Sequence, residues 1–140
     1  MKYIHYGSNN FDPEKFIEIE NMHLFNKPIG GLWASCVKAK FGWSKWCQEN
    51  NYGLSELKKS FTFSLSPDAR IYEINSKEDI EALPLQEEQF SSLMKAVDFE
   101  SLCSDYDVIK FNYDNNPSLY WNLYGWDCDC ILVLNKEVII

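Results

Sequence analysis

Strand-like segments lie at both ends of the chain and helix-like segments lie between them, and this distribution constrains the fold more than any other feature of the sequence. Residues 2–6 and Leu32–Ala34 are predicted as short strands near the N-terminus. Val108–Tyr113 alternates, and Cys130–Leu134 is a continuous apolar run of the kind that is buried on both faces. We therefore expect an α+β fold, in which a mostly antiparallel β-sheet core is partly covered by segregated helices, rather than a doubly wound parallel sheet.

Two more strands are predicted in the middle of the chain. Phe61–Leu65 alternates, Ser66-Pro67-Asp68 has the composition of a turn, and Ala69–Ile74 resumes a strand pattern. The short connection predicts a β-hairpin. A last short strand is expected over Val138–Ile140.

Capping residues mark the predicted helices. Ser35 ends the Leu32–Ala34 strand and is expected to cap a long helix over Cys36–Glu49, whose Trp43 and Trp46 belong to an apolar stripe that packs on the sheet. The remaining predicted helices are a brief one from Asp12-Pro13 to Phe16, a short one capped by Ser76, and further ones over Gln86–Ala96 and Asp98–Cys103.

Length and charge exclude several classes of protein. One domain is expected over residues 1–140, because no linker divides the chain and its length suffices for an apolar core without disulfides. A net charge of −8 disfavours sequence-independent binding to a phosphate backbone. Arg70 is the one arginine, so it is the single candidate for bidentate recognition of a carboxylate or phosphate.

The cysteines indicate a reduced environment. Five cysteines occur, an odd number without a disulfide framework, and no apolar signal segment or long apolar run is present. We therefore expect a cytoplasmic protein that does not enter a membrane. The Cys128-x-Cys130 spacing is shorter than zinc sites use, so we expect no metal and interpret the cysteines as small buried hydrophobic residues.

Three segments place polar or aromatic groups at strand ends, where binding sites are commonly built. They contain His5 and Gly7, Trp33 and Ser35, and the carboxylate pair described next. Trp33 follows Gly30-Gly31, which would leave room for a ligand beside the indole, although a core position is the more frequent case for such a residue taken alone. His5 is a candidate ligand contact, but a buried, hydrogen-bonded histidine is the more frequent case.

Asp127 and Asp129 precede the apolar run Cys130–Leu134. In an extended backbone they would face the same side of the strand, about 6.5–7 Å apart. Desolvation and like charge would then raise the pKa of at least one of them, as acid and base sites require. The alternative is that both carboxylates simply hydrate the start of the strand.

The order of these segments resembles the ADP-ribosyltransferase superfamily, in which a His-Gly-Ser strand end, an aromatic-x-Ser strand and an acidic residue before an apolar strand form the site. The resemblance implies that His5 contacts a ribose hydroxyl and that the Gly7 backbone holds the nicotinamide amide of NAD. It implies that Trp33 stacks on nicotinamide and that Ser35 fixes the carboxamide or the ribose. Tyr6 lies between His5 and Gly7, which are adjacent in the family pattern.

The third motif maps Asp129 onto the family's catalytic glutamate and Asp127 onto the residue that helps to orient the acceptor. The resemblance also implies that Lys27 or Lys38 meets the pyrophosphate. The expected reaction is transfer of ADP-ribose from NAD to a protein or nucleotide acceptor, as in bacterial or phage effectors. The bond to nicotinamide breaks with oxocarbenium character, which a carboxylate stabilises.

A second function is open. Aspartate is one methylene shorter than glutamate, and the first motif is split by Tyr6, so a non-enzymatic binding or inhibitor protein is the alternative. Such a protein, for example a phage factor directed at the host or an antitoxin-like partner, would use its acidic surface and an aromatic patch. Exposure of Trp43 or Trp121 would favour it, because contiguous apolar surface marks partner sites.

Overall fold

A computed structural model describes residues 1–23, 25–89 and 95–140. Over these residues the chain forms one six-stranded sheet in the order β3-β1-β2-β6-β5-β4. Neighbouring strands are antiparallel except for β4 and β5, which are parallel. The strands are β1 (Tyr3–Tyr6), β2 (Leu32–Cys36), β3 (Ser60–Phe63), β4 (Ile71–Ile74), β5 (Val108–Phe111) and β6 (Cys130–Val133). The predicted α+β class with a mostly antiparallel sheet is confirmed.

Short helices connect the strands. The α-helices of the described residues are α1 (Trp43–Asn50), α2 (Lys77–Glu81) and α3 (Phe99–Leu102), and 3-10 turns occupy Pro13–Lys15, Glu56–Lys58, Pro117–Trp121 and Lys136–Val138. The predicted caps Asp12 and Ser76 are confirmed, and Asp98 caps α3 in the same way: each accepts a hydrogen bond from a backbone N–H in the first turn of the element that follows. These starts are predictable because a capping side chain needs only its own neighbours along the chain.

The predicted hairpin over residues 61–74 is wrong. A turn does form, with the Ala69 N–H donating to Ser66 O at 3.0 Å, but β3 and β4 lie at opposite edges of the sheet. Ser64 exchanges two backbone hydrogen bonds with Ile140, and this pairing carries the chain past the ends of the intervening strands. The predicted strand Val138–Ile140 is reduced to a 3-10 turn and a single bridge from Ile139 to Leu65.

Two predicted helices differ from the structure. β2 continues through Ser35 to Cys36, and α1 begins at Trp43 instead of Cys36. For the predicted helix Gln86–Ala96, residues 90–94 lie outside the described residues, and its described ends are not helical. The Gln86 N–H there donates to Ala96 O at 2.9 Å, beside a bridge between Leu85 and Val97.

A hydrophobic core lies on each face of the sheet. One contains Trp126, Phe99 and Leu132, and the other contains Tyr3 and Val133. All four residues of β6 are buried, in agreement with the continuous apolar run of the sequence. Because paired residues of adjacent strands share a face, the pairs Trp33↔Leu132 and Ala34↔Ile131 place the Trp33 side chain on the Trp126 side.

Arg70 is engaged within the fold. Its Nε and Nη2 donate to the two oxygens of the buried Asp107 carboxylate, each at 3.1 Å, and this pair fixes the start of β4 beside β5. Hydrogen bonds from Arg70 hold the pKa of Asp107 well below its ordinary value. The single candidate for bidentate ligand recognition therefore has an internal partner. None of the helices in the described ranges is long and apolar enough to cross a bilayer.

Candidate functional site

A cavity of about 250 Å³ lies where β1 and β2 separate. Within the described residues, the ladder between these strands contains the pairs Tyr3↔Cys36 and Ile4↔Ser35 and goes no further. Beyond it, His5 Nδ1 lies 2.7 Å from Trp33 O. A carbonyl oxygen only accepts, so Nδ1 carries the hydrogen, and in the neutral imidazole Nε2 is left as an acceptor. The side chain of His5 thus bridges the opening in the sheet.

His5 occupies the boundary between the two faces of the sheet. It is paired with Phe61 of β3, and the two rings lie 5.2 Å apart on the face of the sheet that carries Tyr3. It lines the cavity and also a second hollow on the Phe61 side. The indole of Trp33, by contrast, lies on the cavity side alone.

Aromatic rings form most of the cavity wall. Trp33 meets the buried Trp126 edge to face at 4.7 Å, and Tyr6 and Trp43 complete the ring-lined surface. Trp43 stacks on Trp46 with the centroids 5.0 Å apart. These contacts fix the wall before any ligand arrives, so the cavity is suited to a planar group.

One cation and one carboxylate lie among these rings. Lys27 Nζ is 5.2 Å from the centroid of the Trp33 ring. Asp127 lines the same cavity; burial raises its pKa, and the charge of Lys27 acts in the opposite direction. Gly125 has φ +95°, and a Cβ there would come within 3.1 Å of the Lys27 side chain. A polar pair of opposite sign is therefore held at an otherwise apolar site.

Ser35 is buried and its hydroxyl has two internal partners. Its Oγ donates to Asp129 O at 2.9 Å and accepts from the Trp43 N–H at 3.0 Å. Trp43 begins α1, so Ser35 does cap this helix, but from eight residues away and across space. A hydroxyl accepts two hydrogen bonds, so one acceptor position of Ser35 Oγ is not used by these two partners.

The expectation that Asp127 and Asp129 face the same side is wrong. The backbone bends at residues 128–129 before β6 begins, so the alternation of an extended strand does not apply. The Asp129 carboxylate accepts from the Asp114 N–H at 2.8 Å and the Phe41 N–H at 3.3 Å. It lines a separate hollow with Lys110, and its predicted catalytic role stays a prediction.

Gly7 stands apart from the cavity. Its N–H donates to Lys59 O at 2.9 Å, and it is not among the described residues that line the cavity. Its φ of +109° is accessible to glycine, and a Cβ there would lie 2.9 Å from Glu56 Oε2. The resemblance predicts that the Gly7 backbone holds the nicotinamide amide, and the position of Gly7 outside the cavity does not support this prediction.

Gly30 and Gly31 do not leave room for a ligand. A Cβ at Gly30 would lie 2.2 Å from Glu18 O, and a Cβ at Gly31 would lie 2.6 Å from the Leu132 side chain. The chain itself fills the space that the two glycines create. Their function is therefore close packing of the preceding loop against β6.

Cys128 and Cys130 are buried and line the cavity, and sequence reasoning assigned them no site. A hydrogen bond to the Cys128 thiol and burial raise the pKa of Cys130 well above its ordinary value, so this thiol stays protonated. Among the described residues, no group of three or more His, Cys, Asp or Glu side chains is arranged to hold a metal ion.

A group of four aromatic residues, three of them exposed, adjoins the segments that line the cavity. We call Phe25, Tyr120, Trp121 and Tyr124 the outer patch. Trp121 is 75% exposed, and its ring meets that of Tyr120 at 5.3 Å. Phe25 and Tyr124 stack at 5.6 Å. Sequence reasoning singled out Trp121 alone, because the patch joins two segments about 95 residues apart in the chain.

The structure thus brings together four of the predicted site residues, namely His5, Trp33, Ser35 and Asp127, and leaves Gly7 and Asp129 outside their cavity. Lys27, which the resemblance offered for the pyrophosphate, and Trp43, which the sequence predicted to pack on the sheet, also line this cavity. The chain matches no family model, no curated protein and no solved structure.

Proposed function

We propose that the cavity binds the nicotinamide end of NAD and that the protein is an ADP-ribosyltransferase-like enzyme that transfers ADP-ribose to a protein or nucleotide acceptor. The observation that carries this proposal is the convergence of His5, Trp33, Ser35 and Asp127 on one cavity. These residues come from three segments far apart in the chain, and the resemblance to the ADP-ribosyltransferase pattern assigns all three segments to the same ligand. The proposed fold is of ADP-ribosyltransferase type, with the cavity at the opening between β1 and β2.

The composition of the cavity suits this ligand. The nicotinamide ring of NAD is planar and positively charged, so the face of the Trp33 indole attracts it by stacking and by its quadrupole once Lys27 Nζ, now 5.2 Å from the centroid of that ring, turns away toward the phosphates. Asp127 supplies the opposite charge. The volume of about 250 Å³ is below the roughly 300–1,000 Å³ of sites for drug-sized ligands, which suits one ring with part of a sugar.

Asp127 is the carboxylate that we place in the reaction. When the bond from ribose C1′ to the nicotinamide nitrogen breaks, its electron pair leaves with nicotinamide and positive charge develops on the ribose. An ionised Asp127 stabilises that charge, and His5 Nε2 accepts from a ribose hydroxyl. An acceptor oxygen or nitrogen then bonds to C1′ and loses its proton. Because the pKa of Asp127 is raised, the rate should increase with pH above the ordinary aspartate value of about 3.9.

The test compares Asp127→Asn with Asp129→Asn in two assays. The first assay is thermal unfolding with NAD, for which a ligand at 100 times its Kd adds about 2.7 kcal/mol to the free energy of unfolding. The second is the release of nicotinamide. Asp127→Asn should retain the unfolding temperature without NAD and lose nicotinamide release. Asp129→Asn should unfold more easily, because Asn cannot accept from both backbone N–H groups, yet release nicotinamide while folded.

Each result has a distinct meaning. If NAD changes neither the unfolding temperature nor tryptophan fluorescence of the wild type and no nicotinamide appears, the proposed function is wrong. If NAD binds and Asp129→Asn alone abolishes release without loss of stability, Asp129 is the acting carboxylate and our choice of Asp127 is wrong.

A non-enzymatic binding protein is the second candidate, and the outer patch is the observation that favours it. Trp121 is 75% exposed, and an exposed tryptophan among other rings is typical of a partner surface. This function requires no ligand in the cavity. A wild-type protein that ignores NAD but loses a protein partner through Trp121→Ala would favour it over the enzyme.

A further inference from the structure

The cavity can hold only one end of a dinucleotide. Its volume of about 250 Å³ is below the roughly 300–1,000 Å³ of sites for drug-sized ligands, and a dinucleotide is larger than such a ligand. A bound NAD must therefore extend over the surface beside the mouth. That surface determines where the second base lies.

The outer patch adjoins two residues that line the cavity, Lys27 and Gly125. Phe25 is two residues before Lys27, and Tyr124 immediately precedes Gly125, which lines the cavity and packs on the Lys27 side chain. A ligand that leaves the cavity past Lys27 and Gly125 would therefore come close to these rings. The side chain of Lys27 is exposed, so its ammonium group can accompany an anionic linker.

Phe25 and Tyr124 form a planar surface that is held in place. Their rings stack at 5.6 Å with an interplanar angle of 27°, and each residue is 43% exposed. Tyr120 packs on Tyr124, with the ring centroids 5.5 Å apart. A ring fixed by its neighbours loses little conformational entropy when a base stacks on it.

We propose that the Phe25–Tyr124 pair is a stacking subsite for the adenine base of NAD, with Lys27 facing the pyrophosphate between this subsite and the cavity. This inference rests on the proposed function. The arrangement of ring, cation and ring matches a ligand of base, phosphates and base, whereas a protein partner would not require a cation between two aromatic surfaces. A stacking subsite also explains how a protein with a net charge of −8 can bind NAD, because stacking on the adenine base replaces most of the electrostatic attraction to the phosphates that additional cations would supply.

The experiment measures the affinity of NAD and of nicotinamide mononucleotide, which lacks the adenosine half, by calorimetry. The proteins are the wild type, Phe25→Ala, Tyr124→Ala and the conservative variant Tyr124→Phe. Base stacking on an aromatic side chain corresponds to roughly a 5- to 150-fold change in affinity. We expect both alanine variants to weaken NAD by a factor in this range and to leave the mononucleotide unchanged. Tyr124→Phe keeps the ring and should bind NAD within about two-fold of the wild type. Thermal unfolding of each variant without ligand shows that it is folded.

Three outcomes are possible when the wild type and variants are folded. Selective loss of NAD affinity supports the subsite. Wild-type binding of NAD with no selective loss in the alanine variants overturns the subsite and leaves the proposed function standing. If the wild type binds neither NAD nor the mononucleotide, the proposed function fails, and the subsite fails with it.

Discussion

Replacing Ser35 with alanine tests whether this residue is primarily a structural link or a ligand contact. The hydroxyl joins two elements that border the cavity, the start of α1 at the Trp43 N–H and the residue before β6 at Asp129 O. Both bonds are short and Ser35 is 2% exposed, so water cannot readily replace the hydroxyl. The variant leaves one backbone donor and one backbone acceptor without a partner.

The expected loss follows from these two groups. Removal of a helix cap costs about 0.5–2 kcal/mol, and an unsatisfied buried polar group costs about 1–3 kcal/mol. We therefore expect Ser35→Ala to lower the free energy of unfolding by about 2–4 kcal/mol in the absence of NAD. A domain of this kind has about 5–15 kcal/mol in total, so the unfolding temperature should fall by roughly 10 °C.

Urea unfolding of the wild type and variant gives the free energy, and hydrogen exchange at the Trp43 amide reports the bond directly. Ser55→Ala is the matched control, because Ser55 is exposed and its side chain makes no capping bond, and it should cost less than about 0.5 kcal/mol. A loss below about 0.5 kcal/mol in Ser35→Ala, with unchanged exchange at Trp43, would refute the structural role.

Two further predictions concern pH and packing. The pKa of Asp107 is lowered in the folded state, so its contribution to the free energy of unfolding is complete above the unfolded aspartate value of about 3.9 and is lost as the pH falls below that value. Between pH 7 and about pH 3, the free energy of unfolding should therefore fall by more in the wild type than in Asp107→Asn. Equal losses in the two proteins, measured by urea unfolding at each pH, would contradict this. Gly31→Ala should lower the free energy of unfolding by about 2–4 kcal/mol, because the new Cβ would lie 2.6 Å from the Leu132 side chain and the backbone has φ +72°. Gly53→Ala is the control, since Gly53 has φ +57° but open space around it, and it should lower the free energy of unfolding by about 1 kcal/mol. Equal midpoints of urea unfolding in the two variants would show that the structure relieves the crowding at Gly31.

The local features of the fold could be predicted from the sequence because they depend on neighbours along the chain. Asp12, Ser76 and Asp98 cap the elements that follow them, since a capping oxygen reaches only the next few N–H groups. The apolar run over Cys130–Leu134 predicted a strand buried on both faces, since each of its residues needs an apolar environment.

Strand pairing was decided by tertiary structure. The turn after Phe61–Leu65 predicted a hairpin, but a turn determines only that the chain changes direction. It does not determine which strands pair, and β3 pairs with the edge of β1 instead of with β4. The same holds for Ser35, which the sequence identified as a cap. Its hydroxyl does cap α1, but the helix starts at Trp43, because the sheet keeps Ser35 in β2.

The sequence by itself determined the class of fold, the caps, and the three segments that supply His5, Trp33 and the aspartates. Only the tertiary structure decided which aspartate borders the cavity: a bend before β6 turns Asp129 toward two backbone N–H groups and leaves Asp127 beside the aromatic wall. Only the tertiary structure joined Phe25 to Tyr124. The spacing of residues along the chain determines the direction of a side chain only within a regular helix or strand. The aspartates, Phe25 and Tyr124 lie in bends and loops between such elements, where contacts with residues distant in sequence determine the geometry.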